Sequence, residues 1–184
     1  GDLRGYLRIA SPLTAGVRLL HYGRYLSGAE DERLSRLFLG YPSLIRGYDN
    51  GSFSTDRCPP NVGLEQCSEI QVYDQLFGSR VAVMNGELRL SLFGPVGVFG
   101  SGFLPADLVG FYDAGLAWST NLDETPDIDE RAWFQGGDRE PLRSAGAGLR
   151  FNLLGFALAE VYWVKPFDRP LRNGYLTFSL NSGF

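Results

Sequence analysis

Histidine and methionine each occur once, and cysteine twice, among 184 residues. A lone His21, far from any candidate nucleophile, gives no Ser-His-Asp set. No cluster of metal-ligating residues and no glycine-rich phosphate loop occurs either, so no enzyme chemistry, metal or cofactor is expected. Lys plus Arg number 17 against 21 Asp plus Glu, a net charge of −4, which offers no electrostatic case for nucleic acid. No apolar run approaches the roughly 20 residues of a membrane helix. That excludes a helical membrane protein but not a membrane β-barrel, whose strands leave a much weaker trace. Helical periodicity is nearly missing: only 30-EDERLSRLF-38 is expected to form a helical turn or two. The first residue is Gly and no signal peptide is visible, so the expectation is a mature chain or a piece of a longer one.

What is plentiful is glycine (24), phenylalanine (13) and tyrosine (9), set in segments of strict alternation. In 143-RSAGAGLRFNL-153, Ala145, Ala147, Leu149, Phe151 and Leu153 share one face, while Ser144, Gly146, Gly148, Arg150 and Asn152 share the other. In 107-DLVGFYDAGLAW-118, Leu108, Tyr112, Ala114, Leu116 and Trp118 oppose Asp107, Asp113 and Gly115. The segments 2-DLRGYLRI-9, 85-NGELRLSL-92 and 174-GYLTFSLNSGF-184 alternate in the same way. Seven strands are expected, at about 2–10, 15–26, 80–94, 103–119, 143–155, 156–168 and 174–184. Short joins (11–14, 94–102 and the Leu153–Phe156 corner) alternate with connections of which two, 27–79 and 120–142, are long and polar. Short turns at one end, longer loops at the other and strands of about 9–13 residues are the pattern of an outer-membrane barrel.

The polar face carries Arg4, Arg8, Arg18, Arg24, Glu87, Arg89, Asp113, Arg150 and Glu160. Alternation alone does not separate a soluble sandwich from a membrane barrel with a wet lumen. The loop asymmetry, the aromatics near strand ends (Tyr25, Trp118, Trp163, Phe167, Phe184) and the small residues on the apolar face favour the membrane. Seven is an awkward strand number for bacterial single-chain barrels, which usually have an even count. Residues 1–184 therefore read as one portion of a barrel domain, with 27–79 as a long loop inserted in it. Cys58 and Cys67, in 58-CPPNVGLEQC-67, read as a short disulfide loop of an oxidising compartment rather than two free thiols. The acidic stretch 121-NLDETPDIDE-130 lacks the glycine spacing of a calcium loop and reads as a solvated outer loop.

Three ordered elements resemble the barrel domain of the BamA/TamA surface-antigen superfamily. They are Ile45-Arg46-Gly47-Tyr48 in the long loop, 111-FYDAGLAW-118 with Asp113 and Gly115 two residues apart, and a terminal strand ending in Phe184. The resemblance covers nearly the whole chain and implies the C-terminal seven strands of a sixteen-stranded transmembrane barrel. It also implies a loop folded back into the lumen, with Arg46 approaching Asp113 on the wall, Gly115 leaving room for it, and Glu87 and Arg150 at hand. A guanidinium in a narrow, partly dry space favours a carboxylate it can grip with two hydrogen bonds. The last strand, with Gly174, Tyr175, Leu176, Phe178, Leu180 and Phe184, would be the sorting signal and one side of a seam. The second Arg-Gly-Tyr, at residues 4–6, lies inside a strand and carries no such expectation.

The leading expectation is a non-enzymatic factor of the bacterial outer membrane that assembles, inserts or translocates proteins. Its partners would be the lipid bilayer, unfolded outer-membrane clients or a secreted partner, accessory assembly proteins, and the remainder of the barrel from the same or another chain. A passive secretion pore for one dedicated partner, or a barrel anchor for an upstream domain, is the second reading. A soluble ligand-binding β-barrel is the third.

Overall fold

The computed structural model describes residues 1–26, 28–31, 33–48, 75–93, 97–99, 104–120, 129–153, 156–169 and 173–182. Each alternating segment is a strand: β1 (Asp2–Ala10), β2 (Leu13–Gly23), β5 (Arg80–Phe93), β6 (Ala106–Trp118), β7 (Leu142–Leu153), β8 (Ala157–Pro166) and β9 (Tyr175–Ser182). They form one antiparallel sheet in the order β1-β2-β5-β6-β7-β8-β9, so every neighbour is also the next long strand in the chain. The fold is all-β. Among the described residues the sheet is open, with β1 and β9 as its edges.

The register assigns each side chain to a face, because side chains alternate along a strand. One row across the sheet is Arg18, Asn85, Asp113, Ser144 and Pro166. The next on the same face is Gly16, Glu87, Phe111, Gly146 and Val164. A further row on that face is Asp107, Arg150, Glu160 and Ser179. This inner face is polar or small on most strands, and the long loop packs on it. Leu39, Ile45, Tyr48 and Leu76 from the loop bury themselves against Leu20, Val81, Val83, Ala117 and Leu142.

The opposite, outer face carries the apolar alternation and stands largely open. Leu3, Leu7, Val17, Leu19, Leu88, Leu108, Trp163, Leu176, Phe178 and Leu180 are all exposed, Leu3 at 69% and Leu176 at 73%. On β2 and β5 to β7 the usual arrangement is thus inverted: the face rich in charge is the one the loop packs on, and the face rich in leucine is bare.

Two expectations meet corrections. Residues 30–38 form no helix. Their backbone makes turn bonds of i to i−3 type, Asp31 N–H to Gly28 at 3.2 Å and Leu34 N–H to Asp31 at 2.9 Å. Leu37–Phe38 then becomes a two-residue strand, β3, paired with β4 (Phe77–Gly78). The Phe38 and Phe77 rings, 4.8 Å apart, hold this pair closed, a long-range contact that overrides weak helical patterning. Trp118, the strand-end aromatic that closes β6, is 6% exposed. Ala132 packs on it from the outer side, and its indole lies between the His21 ring at 5.6 Å and Phe134 at 5.9 Å. The second strand ends at Gly23, short of the expected residue 26, where Leu26 adopts a φ of 80° that breaks extension.

Candidate functional site

The loop reaches the wall through a single turn. Ile45 N–H and Leu44 N–H both donate to the Tyr41 carbonyl, at 3.0 and 2.8 Å, which turns residues 41–45 back on themselves. The wall then takes up carbonyls left over: Arg18 Nη1 donates to Ser43 at 3.0 Å and Asn85 Nδ2 to Leu44 at 2.8 Å. Ile45 is fully buried, and the space it fills exists because residue 115 is Gly. A Cβ there would lie 2.2 Å from Ile45 Cδ1.

Arg46 follows, pointing across β6 and β5. Its Nε and Nη2 each donate to Asp113 at 2.7 Å, one to each carboxylate oxygen, and its backbone N–H adds a third bond at 3.1 Å. Nη1 turns to Glu87 Oε1 at 2.8 Å. Asp113 is fully buried. The guanidinium plane lies over the Phe111 ring, 3.7 Å from its centroid, with Tyr162 at 5.5 Å. Burial disfavours the charge on Arg46, but its hydrogen bonds and attraction to Asp113, then Glu87, outweigh this and hold its pKa above the ordinary value. Taking one member away would leave a buried charge unpaired, which costs about 3–5 kcal/mol, although an intact buried pair contributes little net stability. The apolar side chains Leu39, Ile45 and Leu76 stabilise the seated loop by about 1.5–3 kcal/mol each. Packing therefore supplies the affinity of the loop for the wall, and the ion pair fixes its register.

Gly47 makes the turn after Arg46 with φ of 94°, the left-handed region that favours glycine. A side chain there would also meet Val164 Cγ1 at 2.8 Å. Its carbonyl accepts from Arg169 Nη1 at 3.2 Å. Tyr48 is fully buried, and its hydroxyl donates to the Arg143 carbonyl at 3.0 Å while accepting the Asp168 N–H at 3.2 Å. Burial pushes the hydroxyl well above its ordinary pKa, so it stays a neutral donor.

From Glu87 the charges continue along the inner face. Glu87 Oε2 also meets Arg89 at 2.6 Å and Arg150 at 3.4 Å. Arg150 Nε donates to Glu160 Oε1 at 2.5 Å, and Ser179 on β9 donates to Glu160 Oε2 at 3.0 Å. Asp113, Glu87 and Glu160 thus balance Arg46, Arg89 and Arg150. No group of acidic, His and Cys side chains among the described residues is arranged to hold a metal ion.

The structure brings Ile45, Arg46, Gly47, Tyr48, Glu87, Asp113 and Gly115 into one site spanning β5, β6 and the loop. Phe111, Tyr162, Asn85, Arg18 and Arg169 belong to it and were not expected from sequence. Phe111 shares the face of Asp113, and Tyr162 that of Glu160, so period-two counting places both aromatics on the inner face without marking the cation above them. On β9, Leu176, Phe178 and Leu180 face outward, and Tyr175 is partly buried on the inner face. Gly174, just before β9, lies against the Trp163 indole, with a Cβ position 2.1 Å from Cζ2, so a side chain there would have to displace the ring. Cys58, Cys67 and Phe184 lie outside the described residues, as does most of 121–130. No family model matches the chain, and no curated protein or solved structure matches it.

Proposed function

We propose that the chain is the C-terminal part of a transmembrane β-barrel of the bacterial outer membrane that assembles, inserts or translocates other proteins without enzymatic chemistry. In this reading β1 continues into further strands, the outer face meets lipid, the inner face lines the lumen, and residues 41–48 form a latch on the lumen wall. The observation that carries it is the inversion of the two faces. A soluble sheet buries its leucines and leaves its charges wet; here the leucine face is bare across all seven long strands, and the loop packs on the opposite, arginine-bearing face of β2 and β5 to β7. The ordered motifs Ile45-Arg46-Gly47-Tyr48 and Asp113-Ala114-Gly115, now in contact, support the resemblance to the BamA/TamA superfamily. Among the described residues β9 is an edge strand, paired with β8 on one side, which fits the rest of the proposal because a sheet edge can template an incoming strand through main-chain hydrogen bonds.

The test is reconstitution of the full-length protein in lipid vesicles with an unfolded outer-membrane barrel as client. Arg46→Ala and Asp113→Asn should each slow client insertion by at least about tenfold, because each breaks the buried Arg46–Asp113 pair. Unchanged insertion in both variants would remove the latch from the function.

A further inference from the structure

The charges of the inner face do more than hold the loop. They run without a gap from the loop to the edge of the sheet: Asp113, Arg46, Glu87, Arg150, Glu160, Ser179. Five strands take part, β5 through β9, and the last link is the registered cross-strand pair Glu160–Ser179. We infer that Arg150 and Glu160 are positioning residues that couple the seating of Arg46 to the closure of β9 on β8.

Three features carry this inference. First, Glu87 is shared. Oε1 receives Arg46 Nη1 at 2.8 Å and lies 3.5 Å from Arg150 Nη2, so the two arginines draw on the same oxygen. Second, Arg150 has unequal partners, with Glu160 at 2.5 Å and Glu87 at 3.4 Å. While Arg46 occupies Glu87, Arg150 rests on Glu160. Without Arg46, Glu87 Oε1 loses its nearer arginine and draws Arg150, while Oε2 stays on Arg89. Third, the two oxygens of Glu160 face different strands. Oε1 takes Arg150 and the Tyr162 hydroxyl, the latter at 3.1 Å, and Oε2 takes Ser179 at 3.0 Å. Tyr162 braces the junction, receiving Arg150 Nη2 at 3.1 Å while its ring meets Phe111 edge-on at 5.4 Å, beneath Arg46. A shift of Arg150 therefore removes one of the partners that position Glu160, the residue that accepts from Ser179. The coupling is reciprocal: opening β9 loosens Glu160, sends Arg150 toward Glu87 and weakens the hold on Arg46.

This inference rests on the latch reading, and a double-mutant cycle separates the two. Hydrogen exchange of the β9 amides, residues 175–182, is followed in the full-length protein in bilayers, for the wild type, Arg46→Ala, Glu160→Gln and the double variant. Arg46→Ala should speed β9 exchange at least about fivefold, the low end of ordinary coupling, although Arg46 touches no β9 residue. In the Glu160→Gln background the same change should add nothing. Ser179→Ala, which removes one hydroxyl, takes the place of Glu160→Gln in the cycle if that variant does not fold. If Arg46→Ala and the second change act additively on β9, or if Arg46→Ala alters exchange at the loop and β6 but not at β9, the coupling is refuted and the latch stands. If Arg46→Ala alters exchange nowhere, the latch itself falls.

Discussion

Asp113 is the residue on which the site turns. It is fully buried, accepts three hydrogen bonds from Arg46, and lies on the strand in direct register with Asn85, whose amide holds the loop at Leu44. Asp113→Asn keeps the shape and removes the charge. Arg46 would retain Glu87, so the loss of stability should fall near 3 kcal/mol, the lower end for a broken buried pair, and would be read as a lowered thermal unfolding midpoint in detergent. Gly115 tests the packing side of the same site. Gly115→Ala places a methyl against Ile45, a flexible end that can shift, so the expected cost is about 1–3 kcal/mol by chemical denaturation. If Ile45→Val in that background recovered nothing, the close approach of loop and wall would not be what requires glycine. Arg46 and Asp113 were legible only through the ordered set of motifs and the family resemblance it carries, since Arg-Gly-Tyr alone also occurs at residues 4–6. Phe111 and Tyr162 were not singled out, since an aromatic on the polar face of an alternating strand carries no local signal of the cation above it.

At the scale of elements, the seven long strands and their faces could be read from the sequence almost residue by residue, because alternation is a local property. The long loop could not. Its order comes from contacts between residues far apart in sequence: Leu39 N–H with the Leu76 carbonyl at 2.8 Å, β3 with β4, and Arg36 with Glu130. No pattern within residues 30–38 announces partners that distant. Glu30 anchors the base of this loop to the ends of β5 and β6, accepting from Ser79 Oγ at 2.6 Å, Thr120 N–H at 2.9 Å and Thr120 Oγ1 at 2.8 Å. Burial works against its charge, but these donors and Arg80 prevail and hold its pKa below the ordinary carboxylate value. A folded-state pKa below the unfolded one gives stability that is present at neutral pH and lost as pH falls through the folded value. Limited proteolysis around residues 24–31 should therefore accelerate as pH drops below the carboxylate range. Glu30→Gln should cleave faster at neutral pH and lose most of that dependence; an unchanged pH profile would assign it to another group.

For the whole molecule, composition excluded much and decided little. Length, charge and the lack of a long apolar run were equally compatible with a soluble sheet and with a membrane barrel. Loop asymmetry and the strand-end aromatics favour the barrel in the sequence, and packing adds the face the loop covers and the face left bare. β5 and β9 offer the clearest pairs of neighbours. Leu88 and Leu176 are exposed on the outer face, and Arg89 and Thr177 stand beside them on the inner one. Fluorescent labels placed singly at these four positions, after Cys58→Ser and Cys67→Ser, can be tested in vesicles whose acyl chains carry bromine quenchers. The membrane reading predicts strong quenching at Leu88 and Leu176 and little at Arg89 and Thr177. Equal quenching on both faces, or none at any of the four, would contradict it.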